Sequence, residues 1–181
     1  EYYKGIFTTL SSCASRQLEE VTFRRATISV PELMATAGKY FRKVYKGNKA
    51  HIDFKIQPLE GRITGDWNQL RFLLENLIDE ACSVTLDGAV CLSAREDGEF
   101  IRFLFTDMRR EKTREELNQL FYPDLSRMTA GEKGELYGTE YLVCKQIIRD
   151  HDEFAGRRGC RINAEPGKEG GFTIYFTLPK K

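Results

Sequence analysis

Asp66-Trp67-Asn68-Gln69-Leu70-Arg71-Phe72-Leu73-Leu74-Glu75-Asn76-Leu77-Ile78-Asp79-Glu80-Ala81, with the segments Ala89–Arg95 and Glu99–Thr106 soon after it, decides how this chain folds. Leu70, Leu73, Leu74, Leu77, Ile78 and Ala81 recur at helical spacing behind an Asp that can cap the first turn. Asp87-Gly88 then introduces two apolar-rich runs joined at Asp97-Gly98, which reads as two antiparallel strands and a tight turn. A capped amphipathic helix feeding a hairpin calls for a sheet with helices laid against it.

The pattern continues in both directions. Upstream, Thr27–Val30 reads as a short strand, and Pro31-Glu32-Leu33 opens a helix running to about Tyr45. His51–Ile56 alternates polar and apolar as a half-buried strand does, and Gly61 and Gly65 bracket a short Arg62-Ile63-Thr64 segment. Downstream, a short helix is expected around Glu115–Phe121. Residues 122–136 show no periodicity and read as a mobile loop. Tyr137, Tyr141, Cys144 and Ile148 mark a third amphipathic helix, and Cys160–Ala164 and Phe172–Leu178 two further strands. The expected fold is a two-layer α/β (α+β) sandwich, a mixed sheet with three main helices packed on one face.

Composition sets the outer limits. The chain has 181 residues with 28 Lys and Arg against 27 Asp and Glu, a net charge of +1, so no global field draws it to nucleic acid or an anionic membrane. No apolar run approaches the roughly 20 residues of a membrane span. Five cysteines (Cys13, Cys82, Cys91, Cys144, Cys160) without a C-x-x-C pair argue against a disulfide framework or zinc site and fit a reducing compartment. The two histidines, His51 and His151, are too few for a His-based metal cluster. The chain opens at Glu1, which reads as a piece of something longer.

Five quoted stretches, in this order, resemble the ATP-binding domain of sensor histidine kinases and its Bergerat-type relatives. Asp66-Trp67-Asn68-Gln69-Leu70 with Asn76-Leu77-Ile78-Asp79-Glu80-Ala81 resembles the family's N box. Phe105-Thr106-Asp107 resembles the strand end that opens the first glycine box, and Glu115–Phe121 the helix that follows it. Lys145-Gln146-Ile147-Ile148 with His151 resembles the Lys-x-Ile-Val-x-x-His stretch. Gly170-Gly171-Phe172 through Pro179 resembles the terminal strand. The resemblance covers about residues 28–179. It implies a Bergerat-type, mostly antiparallel sheet over residues 27–181, and makes residues 1–26 the end of a dimerisation or linker helix.

It also implies a site. Asn76 and Glu80 stand where the family binds magnesium, Asp107 where it meets the adenine amino group, and Gly138 where its second glycine box lies. ATP or ADP with magnesium is the implied cofactor. The departures are as plain. Glu80 replaces an Asn, Asp107-Met108-Arg109-Arg110-Glu111 replaces Asp-x-Gly-x-Gly, and Leu136 and Glu140 replace glycines. Arg109 and Glu111 add bulk where the family's backbone approaches the nucleotide, and Glu140 would repel a phosphate at its helix terminus. In the other direction, the Glu80 carboxylate is a good magnesium ligand, and Arg109, Arg110, Lys112 and Arg114 can contact phosphate by another route.

Each of these residues also has a purely structural reading. Asn76 can be a mid-helix Asn whose side chain satisfies a buried backbone group, Glu80 can be a solvated helix charge, and Asp107 can cap the turn after its strand. The run Arg109–Arg114 can be a solvated loop face, His151 a residue at a helix C-terminus facing the dipole, and the cysteines inert thiols.

The leading reading is a degenerate histidine-kinase-like ATPase domain of a two-component-type sensor, cytoplasmic and acting through protein contacts. Its implied partners are a helical stalk or dimer partner and a response-regulator-type protein. No nucleic acid is implied, and membrane only through regions outside this chain. Two alternatives stay open: an active Mg-ATP kinase lobe transferring the γ-phosphoryl to a His elsewhere, and a non-catalytic nucleotide-sensing module.

Overall fold

The computed structural model describes residues 22–122 and 137–181, with side chains from 141 onward in the second part. The expectations for the N-terminal helical stretch up to residue 21, for the 122–136 loop beyond Tyr122 and for the Glu140 side chain lie outside the described residues; residues 22–26, expected to end that helix, are extended and lead into the first strand.

The first strand, β1 (Ala26–Ser29), runs directly into helix α1 (Val30–Val44). Ser29 caps that helix by accepting from the Glu32 N–H, with Pro31 and Glu32 in the first turn, where a missing donor and a negative charge are both tolerated. Strands β2 (Ile52–Gln57) and β3 (Arg62–Gly65) follow, then helix α2 (Trp67–Cys82), whose N-cap Asp66 accepts from the Gln69 N–H at 3.1 Å. Strands β4 (Gly88–Asp97) and β5 (Phe100–Asp107) form the expected hairpin, closed by the Asp97–Phe100 pair around Gly98 and Glu99. A six-residue helix, α3 (Arg114–Gln119), starts in a capping box made by Thr113 and Glu116. Helix α4 (Tyr137–Phe154) and strands β6 (Ile162–Pro166) and β7 (Phe172–Pro179) complete the chain.

The main sheet has five strands in the order β2-β4-β5-β7-β6, with β2 parallel to β4 and every other pair antiparallel. One difference from the sequence reading concerns β1 and the Arg62–Thr64 segment. They pair with each other, antiparallel, as a separate two-stranded ribbon, Ile28 opposite Ile63. Four residues are too few to show a period, yet Ile28 and Ile63 are both buried, and burial of this pair is what selects the ribbon.

One hydrophobic core lies between sheet and helices. Leu33, Met34 and Ala37 of α1, Leu70, Leu73, Leu74, Leu77 and Ile78 of α2, and Tyr141, Cys144, Ile147 and Ile148 of α4 meet Leu92, Phe103, Phe105, Ile174 and Phe176 of the sheet. Phe103 and Phe176 stack across paired strands at 5.0 Å between centroids. In β5 burial alternates strictly, so Ile101, Phe103, Phe105 and Asp107 all face the core. That register carries a carboxylate to the inner face at the strand's end.

His151 joins α4 to the start of α2. It is fully buried; its Nε2 accepts from the Asp66 N–H at 3.0 Å, and its Nδ1 donates to the Ile147 carbonyl at 2.8 Å. Phe23 packs edge-on against its ring at 4.8 Å. His151 does lie in the last turn of its helix, as expected; what the sequence did not indicate is that the imidazole is a buried link between α4 and the N-cap of α2.

Candidate functional site

Asp107 is 1% exposed and accepts four hydrogen bonds. The Arg109 backbone N–H and Nε reach Oδ1, each at 3.0 Å; Arg109 Nη2 at 3.0 Å and Arg110 Nε at 2.9 Å reach Oδ2. Burial alone would raise its pKa. The Arg109 bonds and the charges of Arg110 and Arg109 outweigh that and hold the carboxyl below the usual carboxylate range.

Glu80 lies one layer across, on the inward side of α2, and is also buried. Arg110 Nη1 and Nη2 meet its two oxygens at 3.1 and 3.0 Å, a fork-on-fork pairing. The Arg110 side chain is 13% exposed, and its guanidinium lies 5.3 Å from the centre of the Phe172 ring. Burial lowers its pKa, but Glu80 first and Asp107 second raise it further, so it stays charged. The buried Tyr141 hydroxyl is pushed well above its ordinary value by burial and next by the Glu80 carboxylate. The two carboxylates and two guanidiniums therefore neutralise one another within the protein.

Arg109 turns the other way. Its guanidinium donates to the carbonyls of Ala81, Val84 and Leu86, closing the C-terminal end of α2. Gly88 makes the room: it has φ +137, and a Cβ there would stand 2.7 Å from Arg109 Cγ. Glu111 accepts from the Gly171 N–H at 2.8 Å, tying the turn after β5 to the start of β7. Gly171, with φ +71, passes so near the Asp107 carbonyl that a side chain could not be accommodated.

The structure brings Glu80 and Asp107 together through Arg110. Asn76, one turn before Glu80, is half-buried, and its Nδ2 donates to the Phe72 carbonyl at 2.7 Å, the back-bonded conformation of a mid-helix Asn. Gly138 lies in the first turn of α4. Glu80 is not the solvated helix charge its position allowed, nor are Arg109 and Arg110 a solvated loop face: only 1% of the Arg109 side chain is exposed. Asp107 does cap the turn after its strand, through Arg109 N–H. Among the described residues no group of three or more His, Cys, Asp and Glu side chains is placed to hold a metal ion.

Sequence reasoning missed two arrangements. The pairing of two arginines with carboxylates 2 and 30 positions away had only one signal, their adjacency to the strand-end Asp107. Asp79, read as one residue of the N box, accepts from the Tyr40 and Tyr45 hydroxyls at 2.7 and 2.6 Å and clamps α1 to α2. Burial raises the Cys82 thiol to about 11 and the Cys160 thiol to about 12, which disfavours the reactive thiolate at both.

A five-stranded mixed sheet with its helices on one face, an N-box helix and a strand-end Asp beside it define an ATPase-type domain. The chain belongs to the family of histidine kinase-, DNA gyrase B- and HSP90-like ATPases, whose profile matches residues 65–181. It is similar to the adaptive-response sensory kinase SasA of Thermosynechococcus vestitus, with 26% identity over 177 residues, 96% of this chain. It spans 44% of that kinase's length. Full-length ShkA in complex with AMPPNP superposes with a TM-score of 0.72 at 17% identity, over 97% of this chain and 35% of that one. Histidine kinase ThkA in complex with the response regulator TrrA superposes with a TM-score of 0.67 at 18% identity, over 97% and 48%. Among the described residues no helix is long and apolar enough to cross a membrane.

Proposed function

We propose that this chain is the ATPase-fold lobe of a two-component-type sensor protein in which an internal ion-pair network replaces the nucleotide, and that it acts in cytoplasmic signal transduction through protein contacts. One observation carries the reading: Arg110 joins Glu80 and Asp107, the carboxylates at the two positions that the family devotes to magnesium and adenine. Both oxygens of each are engaged by guanidinium N–H groups, and the Asn76 amide donates to its own helix. Residues so committed do not fit Mg-ATP as they stand. Entry of magnesium at Glu80 would displace Arg110 from its partner, and breaking such a largely buried pair costs about 3–5 kcal/mol.

In this reading the chain ahead of residue 22 is the end of a dimerisation or linker helix, and the lobe that rests on it begins in the extended residues leading into β1, a few positions before the boundary at residue 27 expected from the sequence. A helical stalk or dimer partner and a response-regulator-type protein are the proposed contacts; the ThkA–TrrA complex is the parallel that supports the second. Phosphoryl transfer rests on positioning and charge neutralisation, so a site already neutral inside the protein weighs against an active kinase lobe. Nucleotide sensing without turnover is the second reading. It is favoured by the position of Arg110, the most exposed member of the network, from which its guanidinium could turn to a phosphate.

A thermal-shift titration with ADP and ATP, each with and without magnesium, tests the proposal. A ligand at roughly 100 times its dissociation constant stabilises a fold by about 2.7 kcal/mol, several degrees for a domain of this size. The expected result is no shift at millimolar nucleotide. A magnesium-dependent shift that disappears in Glu80→Gln would overturn it and make a phosphotransfer assay the next step.

A further inference from the structure

The last turns of α1 and the residues after it, Lys39 to Lys49, carry five positive charges and no carboxylate. Lys39, Arg42, Lys43, Lys46 and Lys49 are all exposed, and among the described residues none is in an ion pair. Arg42 and Lys43 lie in the last turn, where a cation complements the helix dipole; Lys46 and Lys49 lie beyond the helix end and have no such role. The same segment forms a shallow groove of about 600 Å³ lined by Lys39, Phe41, Arg42, Lys43, Tyr45 and Lys46. Its aromatic side is ordered: Phe41 stacks between Tyr45 and Phe54, and the Tyr45 hydroxyl is held by Asp79. Val44 is 49% exposed beside it.

We propose that this groove is a docking surface for an acidic protein segment that presents carboxylates together with an apolar side chain. Charge complementarity supplies the attraction, and Val44 with the Phe41 and Tyr45 rings the apolar contact. The charge distribution decides the class of partner. With the whole chain at +1, everything outside residues 39–49 is net negative. A long polyanion or a membrane plane would extend past the groove onto a chain whose remaining residues sum to a negative charge, whereas a short acidic segment would stay on the five cations. The inference is independent of the nucleotide question, because no residue of the groove belongs to the Glu80–Arg110–Asp107 network.

The test is fluorescence anisotropy of the intact chain with a labelled peptide of alternating Glu and Phe. A single-stranded oligonucleotide and phosphatidylserine vesicles are run in parallel. The expected result is saturable peptide binding that weakens with salt and falls by about tenfold or more in Lys43→Glu/Lys46→Glu, and less in Lys43→Gln/Lys46→Gln. Arg161→Glu/Lys168→Glu, far along the sequence and also exposed, should leave it unchanged. Equal thermal melting of all variants shows that only the surface was altered. The proposal is overturned by absence of peptide binding, by equal loss in the two charge-reversed pairs, or by tighter binding of oligonucleotide or vesicles than of peptide.

Discussion

Arg110 faces Glu80 with both terminal nitrogens, at 3.0 and 3.1 Å, from a loop 30 positions further along the chain. The pair ties the turn after β5 to α2, and Asp107 shares the same guanidinium through Nε at 2.9 Å. Such a pair is worth little as a net contribution, but each half is costly to leave alone. Glu80→Ala and Arg110→Ala should each destabilise the fold by about 3–5 kcal/mol, whereas Glu80→Leu/Arg110→Met should cost clearly less than either. Urea denaturation of the three variants measures this. Additive losses would show that the two residues do not act as a pair.

Acid should weaken the fold through Asp107. Its folded pKa is depressed by Arg109 and Arg110, so its contribution is fully present above the unfolded value of about 3.9 and is lost as pH falls through the folded one. Melting temperature followed downward from pH 5 should drop steeply in the wild type, and less steeply in Asp107→Asn. Parallel curves would assign the acid limb to other carboxylates.

At the alkaline end the tyrosines take over. Burial first, and Asp79 next, raise Tyr40 and Tyr45, and burial with Glu80 raises Tyr141. These three should stay un-ionised while the protein is folded as pH passes about 10, so stability declines above that value as the unfolded chain titrates. Ultraviolet difference spectra count the tyrosines that respond. Asp79→Ala should bring Tyr40 and Tyr45 downward and cost about 1–2 kcal/mol, because two part-buried hydroxyls lose their acceptor.

His151→Ala removes a fully buried ring and leaves the Asp66 N–H without its acceptor. A loss of about 2–4 kcal/mol is expected, with hydrogen exchange accelerating first at the start of α2. Exchange that accelerates equally everywhere would show that the link is not local.

Gly88→Ala should be among the more damaging small substitutions. Its φ of +137 is strained for any side chain, and the new Cβ meets Arg109. A cost of about 1–3 kcal/mol is expected, and a neutral result in the same denaturation assay would place Arg109 elsewhere.

Local chemistry determined the elements. Ser29 and Asp66 as caps, the leucine spacing of α2 and the Asp97-Gly98 turn are short-range properties, and each element lies where its pattern placed it, within a few residues. The five family stretches added the sheet type and the positions of Glu80 and Asp107. What only the tertiary structure decided is which charges meet. Helical periodicity places Glu80 beside the apolar stripe but says nothing of a guanidinium arriving from another loop, and the strict alternation of β5 turns Asp107 inward without naming its donors. Ion pairing depends on distance in space, and the chain closes that distance only when the sheet register sets the end of β5 beside α2.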